Sequence, residues 1–309
     1  MDFQMNIKNT VVLLLPLIST NLYAASSPYS LNMNAGILYD DNVARASLSQ
    51  DIVSDTILNL GITADYRFHK QEHDLIILSV IADTFQYQDF DKLSNIVLSG
   101  KAEYQIQPDH GFTAPWYFAS FEYSLINYQS SLRDSDGFTI ELGLGKRLTD
   151  RITLRSGYVY ENFTADANEF DINNNRIYLS FDYKATANNI VYLTLGYTDG
   201  DFASSTSDNT TASSKTSPST NNKSTSTQAL QSHHLPSEVP GGTLRPDDAF
   251  SNGFVYQLDT DAMTLQLGDN FALSSHQSID ASIFYYTADS YGDADYDGII
   301  AQLSYLHQF

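Results

Sequence analysis

Leu58-Asn59-Leu60-Gly61-Ile62-Thr63-Ala64-Asp65-Tyr66-Arg67-Phe68 alternates between apolar and polar or small residues throughout. A period of two puts Leu58, Leu60, Ile62, Ala64, Tyr66 and Phe68 on one face of a strand. Asn59, Gly61, Thr63, Asp65 and Arg67 take the other. Further along, Ile96, Leu98, Gly100, Ala102, Tyr104 and Ile106 oppose Asn95, Ser99, Lys101, Glu103 and Gln105. Ile177, Leu179, Phe181 and Tyr183 oppose Arg176, Tyr178, Ser180 and Asp182. The pattern runs to the C-terminus, where Ile299, Ala301, Leu303, Tyr305 and Phe309 share a face broken only by His307. Twelve segments read this way, near 31–40, 56–68, 74–87, 94–106, 112–127, 137–148, 152–163, 175–184, 190–201, 257–272, 278–288 and 297–309. About ten residues is the length of a tilted strand that crosses a bilayer.

The connections alternate in length. His69-Lys70-Gln71-Glu72, Pro108-Asp109-His110-Gly111, Thr149-Asp150, 185–189 and 274–277 are short. Between them come longer acidic stretches at 40–55, 130–136, 164–174, 203–256 and 289–296. Short turns at one end and long loops at the other predict an all-β, transmembrane antiparallel up-and-down barrel of about twelve strands. An even count leaves both termini on the periplasmic, short-turn side. Aromatics suit this geometry better than a soluble β-sandwich, which would gather them at mid-strand. Phe68, Tyr104, Tyr183, Phe271, Tyr305 and Phe309 fall at the periplasmic boundary. Tyr39, Tyr123, Tyr158, Tyr160, Tyr197 and Tyr285 fall at the outer one, giving two girdles. Leu75–Ala82 is apolar on both faces, which leaves Asp83 unplaced. Pro115 interrupts the fifth segment, while Lys146 and Asp269 fall on the lipid side.

Residues 1–24 carry Lys8, an apolar run from Val11 to Ile18 and a small-residue site at Ala24-Ala25. This reads as a secretory signal peptide, too short to span a bilayer. Residues 25–309 form the barrel domain. The chain has no Cys, so no disulfide supports an exported fold. Its charge of −21 argues against nucleic-acid binding. Residues 203–249 lack aromatics, and 16 of the 24 residues from Ser204 to Thr227 are Ser or Thr. Such a low-complexity extracellular loop buries too little apolar surface to offset its ordering entropy.

The sequence offers little for catalysis. His69, His73, His110, His276 and His307 lie at periplasmic ends, and His233 and His234 in the insert, so no enzyme is expected. No cofactor is expected either. Asp293, Asp295 and Asp297 open a D-x-D-x-D-G pattern, but its twelfth position is Ser304. That excludes a helix-flanked calcium loop and leaves a weak divalent-cation role for acidic loops. The inward faces carry Lys101, Glu103, Glu141, Arg147, Arg155, Glu161, Arg176 and Asp182, which suit either a charge-filled lumen or a polar pore. After Arg245 there are ten Asp and no Lys or Arg, so the last three strands are expected to form an anionic wall.

Gly36-Ile37-Leu38-Tyr39-Asp40-Asp41-Asn42-Val43-Ala44-Arg45-Ala46 closes the first strand. It resembles the YDDNV-x-R-A first-hairpin signature of proteobacterial outer-membrane β-barrel proteins of the porin type. It is also similar to the turn that opens the barrel of surface lipoprotein assembly modifiers, whose helical-repeat domain finds no room before the first strand here. The closing strand, ending at Phe309, resembles the signal by which outer-membrane barrels engage their insertion machinery. These likenesses imply a bacterial outer membrane, lipid and the insertion machinery as partners. The expected function is a porin-like passive channel for small hydrophilic solutes, cation-preferring if it conducts. The alternative is a non-conducting surface barrel that displays its loops or assists export of another protein.

Overall fold

The computed structural model describes residues 28–71, 73–206, 245–250, 253–290 and 295–309. The leader, most of the Ser/Thr-rich insert and Asp293 lie outside the described residues. In chain order the strands are β1 (Tyr29–Asp40), β2 (Asp55–Gln71), β3 (Asp74–Tyr87), β4 (Asn95–Ile106), β5 (Trp116–Tyr128), β6 (Ser135–Arg147) and β7 (Ile152–Ala165). Then follow β8 (Ile172–Lys184), β9 (Asn189–Thr206), the short β10 (Arg245–Asp247), β11 (Gly253–Ala272), β12 (Gln277–Ser290) and β13 (Tyr296–Gln308).

Every strand but β10 pairs antiparallel with two neighbours in the wall, β11 takes β10 as a third partner, and two pairings close the ring. β1 meets β13 from Asn32 opposite Gln308 to Asp40 opposite Ile300. β9 meets β11 from Asn189 opposite Phe271 to Thr206 opposite Phe254. The result is a closed twelve-stranded barrel, with β10 added to the edge of β11 beyond the wall. Closure pairs the backbone N–H and C=O groups around the wall, the condition for a sheet to survive in hydrocarbon.

The outer surface is apolar. Leu60, Ile62, Val80, Leu98, Leu142, Ile177, Leu267, Ile283 and Leu303 are exposed on it, while their sequence neighbours turn inward. Leu78 and Val80 are exposed, which fixes the phase of β3. Ile77, Ser79, Ile81 and Asp83 therefore face the interior. Pro115 does not interrupt a strand: β5 begins at Trp116, so the missing N–H of proline falls just outside the ladder. The insert also gives up both ends to the sheet, since β9 runs to Thr206 and β10 starts at Arg245.

Aromatic residues mark both rims. Tyr104, Tyr183, Tyr305 and Phe309 are exposed at the periplasmic end, where Phe68 is half-buried with its ring 5.6 Å from that of Tyr66. At the outer rim the hydroxyls of Tyr123, Tyr158 and Tyr197 donate to Asp136 (2.7 Å), Asn175 (2.6 Å) and Asp261 (2.5 Å). Each ring thus sits against lipid with its polar end in the aqueous layer. The misfits are explained by position. Lys146 is next to the last residue of β6, and Asp269, near the periplasmic end, accepts both bonds from Asn189 Nδ2, at 2.8 and 2.9 Å. A cylinder greasy outside and polar inside, with aromatic rims, is a bacterial outer-membrane protein.

Ile62→Arg should cost about 2–4 kcal/mol in folding into lipid vesicles, because it places a cation at mid-membrane. Lys146→Leu should change stability by no more than about 1 kcal/mol, since that site lies near the interface. Urea titrations of the two variants check the pair; equal effects would contradict this placement of the membrane.

Candidate functional site: the lumen and its outer mouth

The inward charges of β2–β8 are partly paired. Lys101 Nζ meets Glu103 Oε2 at 3.1 Å, Arg155 meets Asp182 at 3.0 Å, and Arg67 meets Asp65 at 3.2 Å. Tyr178 donates to Glu141 at 2.6 Å, and Arg176 lies 6.0 Å from the Tyr178 ring. Arg147, at the periplasmic end, sits 5.4 Å from the ring of Phe112. Glu161, on the same inward face of β7 as Arg155, is half-buried. Period two puts these side chains on the inward phase of their strands.

Two further carboxylates belong with them. Asp83 of β3 and Glu122 of β5 face inward with no basic group within ion-pair distance among the described residues. Glu122 was readable in the sequence, because an outward Tyr123 forces its neighbour in. Asp83 was not, since β3 is apolar on both faces. Lys101, Asp83, Arg155, Arg176, Asn34, Gln266 and Gln302 all keep partial exposure although they face the interior. That exposure is to space within the barrel.

The expected anionic wall of the last three strands is not there. Asp259 and Asp261 on β11, Asp289 on β12 and Asp297 on β13 are exposed and share the outward phase of Met263, Tyr285 and Ile299. Period two decides this: each is an even step from a lipid-facing residue. On this side Asp280 does face in, and it accepts from Tyr192 at 2.9 Å. Its companions are neutral, including Thr264, Gln266, Ser282, Gln302 and Ser304. The lumen thus has a charged half over β2–β8 and an amide- and hydroxyl-lined half over β9–β1. As for the aspartate motif, Asp295 accepts the Ser290 N–H at 3.1 Å and Asp297 is exposed on the outward face.

Large inward rings lie flat against the wall. A Cβ on Gly145 would come within 2.1 Å of Trp116, and one on Gly143 within 2.3 Å of Phe118. Glycine lets each ring lie on the backbone of the next strand instead of crossing the lumen.

The outer mouth is built differently. Three loops each carry a single 3-10 turn, at Asp91–Leu93, Ser131–Arg133 and Asn168–Phe170. Each ends with a side chain that caps the preceding strand. Ser94 Oγ accepts Tyr87 N–H, Asp134 accepts Tyr128 N–H, and Asp171 accepts Ala165 N–H, at 3.0, 3.0 and 2.7 Å. The turns aim Leu93, Leu132 and Phe170 into the mouth. There Leu93 joins Ala44, Ala46, Phe85, Tyr87 and Phe250 in a buried apolar cluster. Phe170 joins Ala165, Ala167 and Val255, with Leu132 packed against them.

Ion pairs pin these pieces together. Arg133 meets the buried Asp247 at 2.5 Å, and its guanidinium lies 4.1 Å from the Phe170 ring. Lys92 meets Asp248 at 2.9 Å, and Ser130 donates to the same carboxylate. Partial burial by itself would raise the Asp248 carboxyl. The bonds from Ser130 and Lys92, with the charges of Lys92 and Arg133, outweigh it and hold the group below its ordinary value.

A depressed carboxyl stabilises the fold at neutral pH, and the contribution is lost as pH falls through the lowered folded-state value. Amide-exchange protection across 247–250 should therefore weaken on acidification below about pH 4. Asp248→Asn should show weaker protection at neutral pH and a flatter acid response; an unchanged profile would rule the linkage out. Gly145→Val should expel Trp116, the chain's single tryptophan, from its seat. Red-shifted emission, stronger aqueous quenching and a stability loss of about 1–3 kcal/mol are expected.

No known family matches the sequence, and no curated protein does. Solved structures do resemble it. An outer-membrane channel from Pseudomonas putida F1 superimposes with a TM-score of 0.58 at 7% identity, over 94% of this chain and 98% of that one. KdgM porin gives 0.41 at 8% identity, over 90% and 99%. The outer membrane phospholipase A of Escherichia coli gives 0.43 at 6% identity, over 91% and 93%. What the chain shares with the first of these is the fold of an outer-membrane barrel.

Proposed function

We propose that the protein is a porin-like passive channel for small hydrophilic solutes, with cation preference. The observation that carries this reading is the partly exposed inner wall, on which Asp83 and Glu122 have no basic group within ion-pair distance among the described residues. Fixed, uncompensated carboxylates raise the local cation concentration in a low-dielectric tube. Acidic outer loops would add to the effect as a funnel. Passive transport also suits the placement of the histidines, since all five in the described residues sit at periplasmic ends, away from the outer-rim carboxylates. The Tyr39–Ala46 segment, with its likeness to porin-type barrels, supports the same reading.

A second reading is favoured by one feature, the packed outer mouth. A barrel closed on that side would serve as a non-conducting surface or interaction module. Its likeness to the barrel of surface lipoprotein assembly modifiers would then point to assisting another exported protein.

Planar bilayers separate the two. Purified protein should conduct, and a salt gradient should give a reversal potential of cationic sign. Asp83→Asn with Glu122→Gln should lower the cation-to-anion permeability ratio by about two- to fivefold. Anion preference in the unmodified protein would overturn the charge argument, and silence under all voltages would favour the surface module.

A further inference from the structure

The connection from β1 to β2, residues 41–54, does not project into solvent. It folds across the mouth and reaches strands on the far wall. Ser205 of β9 donates its N–H to the Ala44 carbonyl at 2.9 Å, and Ser204 Oγ donates to the Arg45 carbonyl at 2.8 Å. On the β13 side Asn42 Nδ2 donates to the Asp297 carbonyl at 3.1 Å. The loop is internally braced. Asn42 Nδ2 donates to Ala46 O at 2.9 Å, Asn42 Oδ1 accepts Ala46 N–H at 3.0 Å, and Val43 N–H donates to Val53 O at 2.9 Å. A braced loop moves as a piece.

Its apex is Arg45, with φ of 53°, a left-handed backbone that a non-glycine residue adopts only when its surroundings compel it. The compelling contacts are visible. The guanidinium makes paired bonds of 3.0 and 2.7 Å to Asp40 at the end of β1, donates to the Tyr286 hydroxyl of β12 at 2.7 Å, and lies 4.7 Å from that ring. On either side of this strained residue, Ala44 and Ala46 are the loop's buried apolar contribution to the mouth cluster, with Val43 and Val53 packed at its edge. Two hydrogen bonds tie the loop to β9, and Ala44 and Ala46 carry it into the cluster of Phe85, Tyr87, Leu93 and Phe250.

We propose that this loop is a strap latched by Arg45, which closes the channel from outside and swings off β9 to admit solute. The proposal rests on the channel reading above. Asp40 and Tyr286 form the latch seat, Ser204 and Ser205 the far catch. Leaving the catch breaks no wall pairing, because Ser204 and Ser205 stay paired with β11, so opening spares the barrel.

The chain has no native cysteine, which makes the test clean. Ala44→Cys with Ser205→Cys, joined by oxidation or by a short bis-maleimide and verified by loss of free thiols, should lower bilayer conductance about tenfold or abolish it. Reduction of the disulfide form should restore it. Arg45→Gly, which relieves the backbone while removing the latch, should raise open probability by a similar factor. A strap-less variant with 42–53 replaced by a short glycine-serine turn should be constitutively open. If joined and unjoined forms conduct alike, the strap is not the closure and the proposal fails while the channel stands. If even the strap-less barrel is silent, the channel reading fails and the strap falls with it.

Discussion

Hydrocarbon offers no hydrogen bonds, so a sheet placed in it must satisfy every backbone group itself. Two seams carry that requirement here. β1 and β13 join the two ends of the described chain, and β9 and β11 join across the long insert. Both hold an unbroken register along their length, because an open seam would leave a column of bare N–H and C=O groups in lipid at several kcal/mol each. Once the ring is closed, the rest follows. Period two assigns each side chain to lipid or lumen, and a one-residue slip would exchange the two throughout a strand. The pairing of Tyr39 with Ala301 and of Leu38 with Gln302 keeps greasy against greasy and inner against inner.

A narrow cylinder also has to manage its contents. Charges withdrawn from bulk water need partners, and most find them one or two residues along the same strand or across one pairing, as with Lys101 and Glu103 or Arg155 and Asp182. Bulk is managed by glycine, with Trp116 over Gly145 and Tyr192 over Gly268. These devices keep side chains against the wall. The same barrel at its outer end does the reverse, packing Phe85, Tyr87, Leu93 and Phe250 into a buried cluster. Wall-hugging below and a packed core above are two solutions within one tube.

Alternation made the fold legible. Twelve strand positions, the short-turn and long-loop ends, and the inward placement of the charged residues from Lys101 to Asp182 all follow from period two and turn chemistry. What stayed hidden depended on phase or on distance. In β3 both faces are apolar, so Asp83 had no phase until neighbouring strands supplied it. The number of late aspartates suggests an acidic wall, and only their parity shows that Asp259, Asp261, Asp289 and Asp297 face outward. Asp40 and Asn42 were recognisable as turn residues, and Asp40 does accept the Asn42 N–H at 3.0 Å. That the turn leads inward rather than out is set by Ser204, Ser205 and Tyr286, more than 150 residues away. The three 3-10 turns left a faint signal: an apolar residue within two positions of a Ser or Asp at the foot of a strand, repeated at Leu93-Ser94, Leu132-Asp134 and Phe170-Asp171.

The wall and the closure at the mouth draw on different interactions, and this permits one to change without the other. The wall is a continuous ladder whose disruption exposes backbone to lipid. The mouth is held by charge-assisted bonds and by the buried clusters around Phe250 and Phe170, in a region where water is available to replace the polar contacts. A hydrogen bond between charged groups contributes about 1.5–3 kcal/mol net and a neutral one about 0.5–1.5. Burial of a methyl group contributes on the order of 0.8 kcal/mol. The two neutral bonds that tie residues 41–54 to β9 belong to the smaller class, and water can replace them. The groups of the ladder have nothing else to bond. In a molecule built this way the loops at the aqueous end can rearrange while the ring in the lipid stays closed.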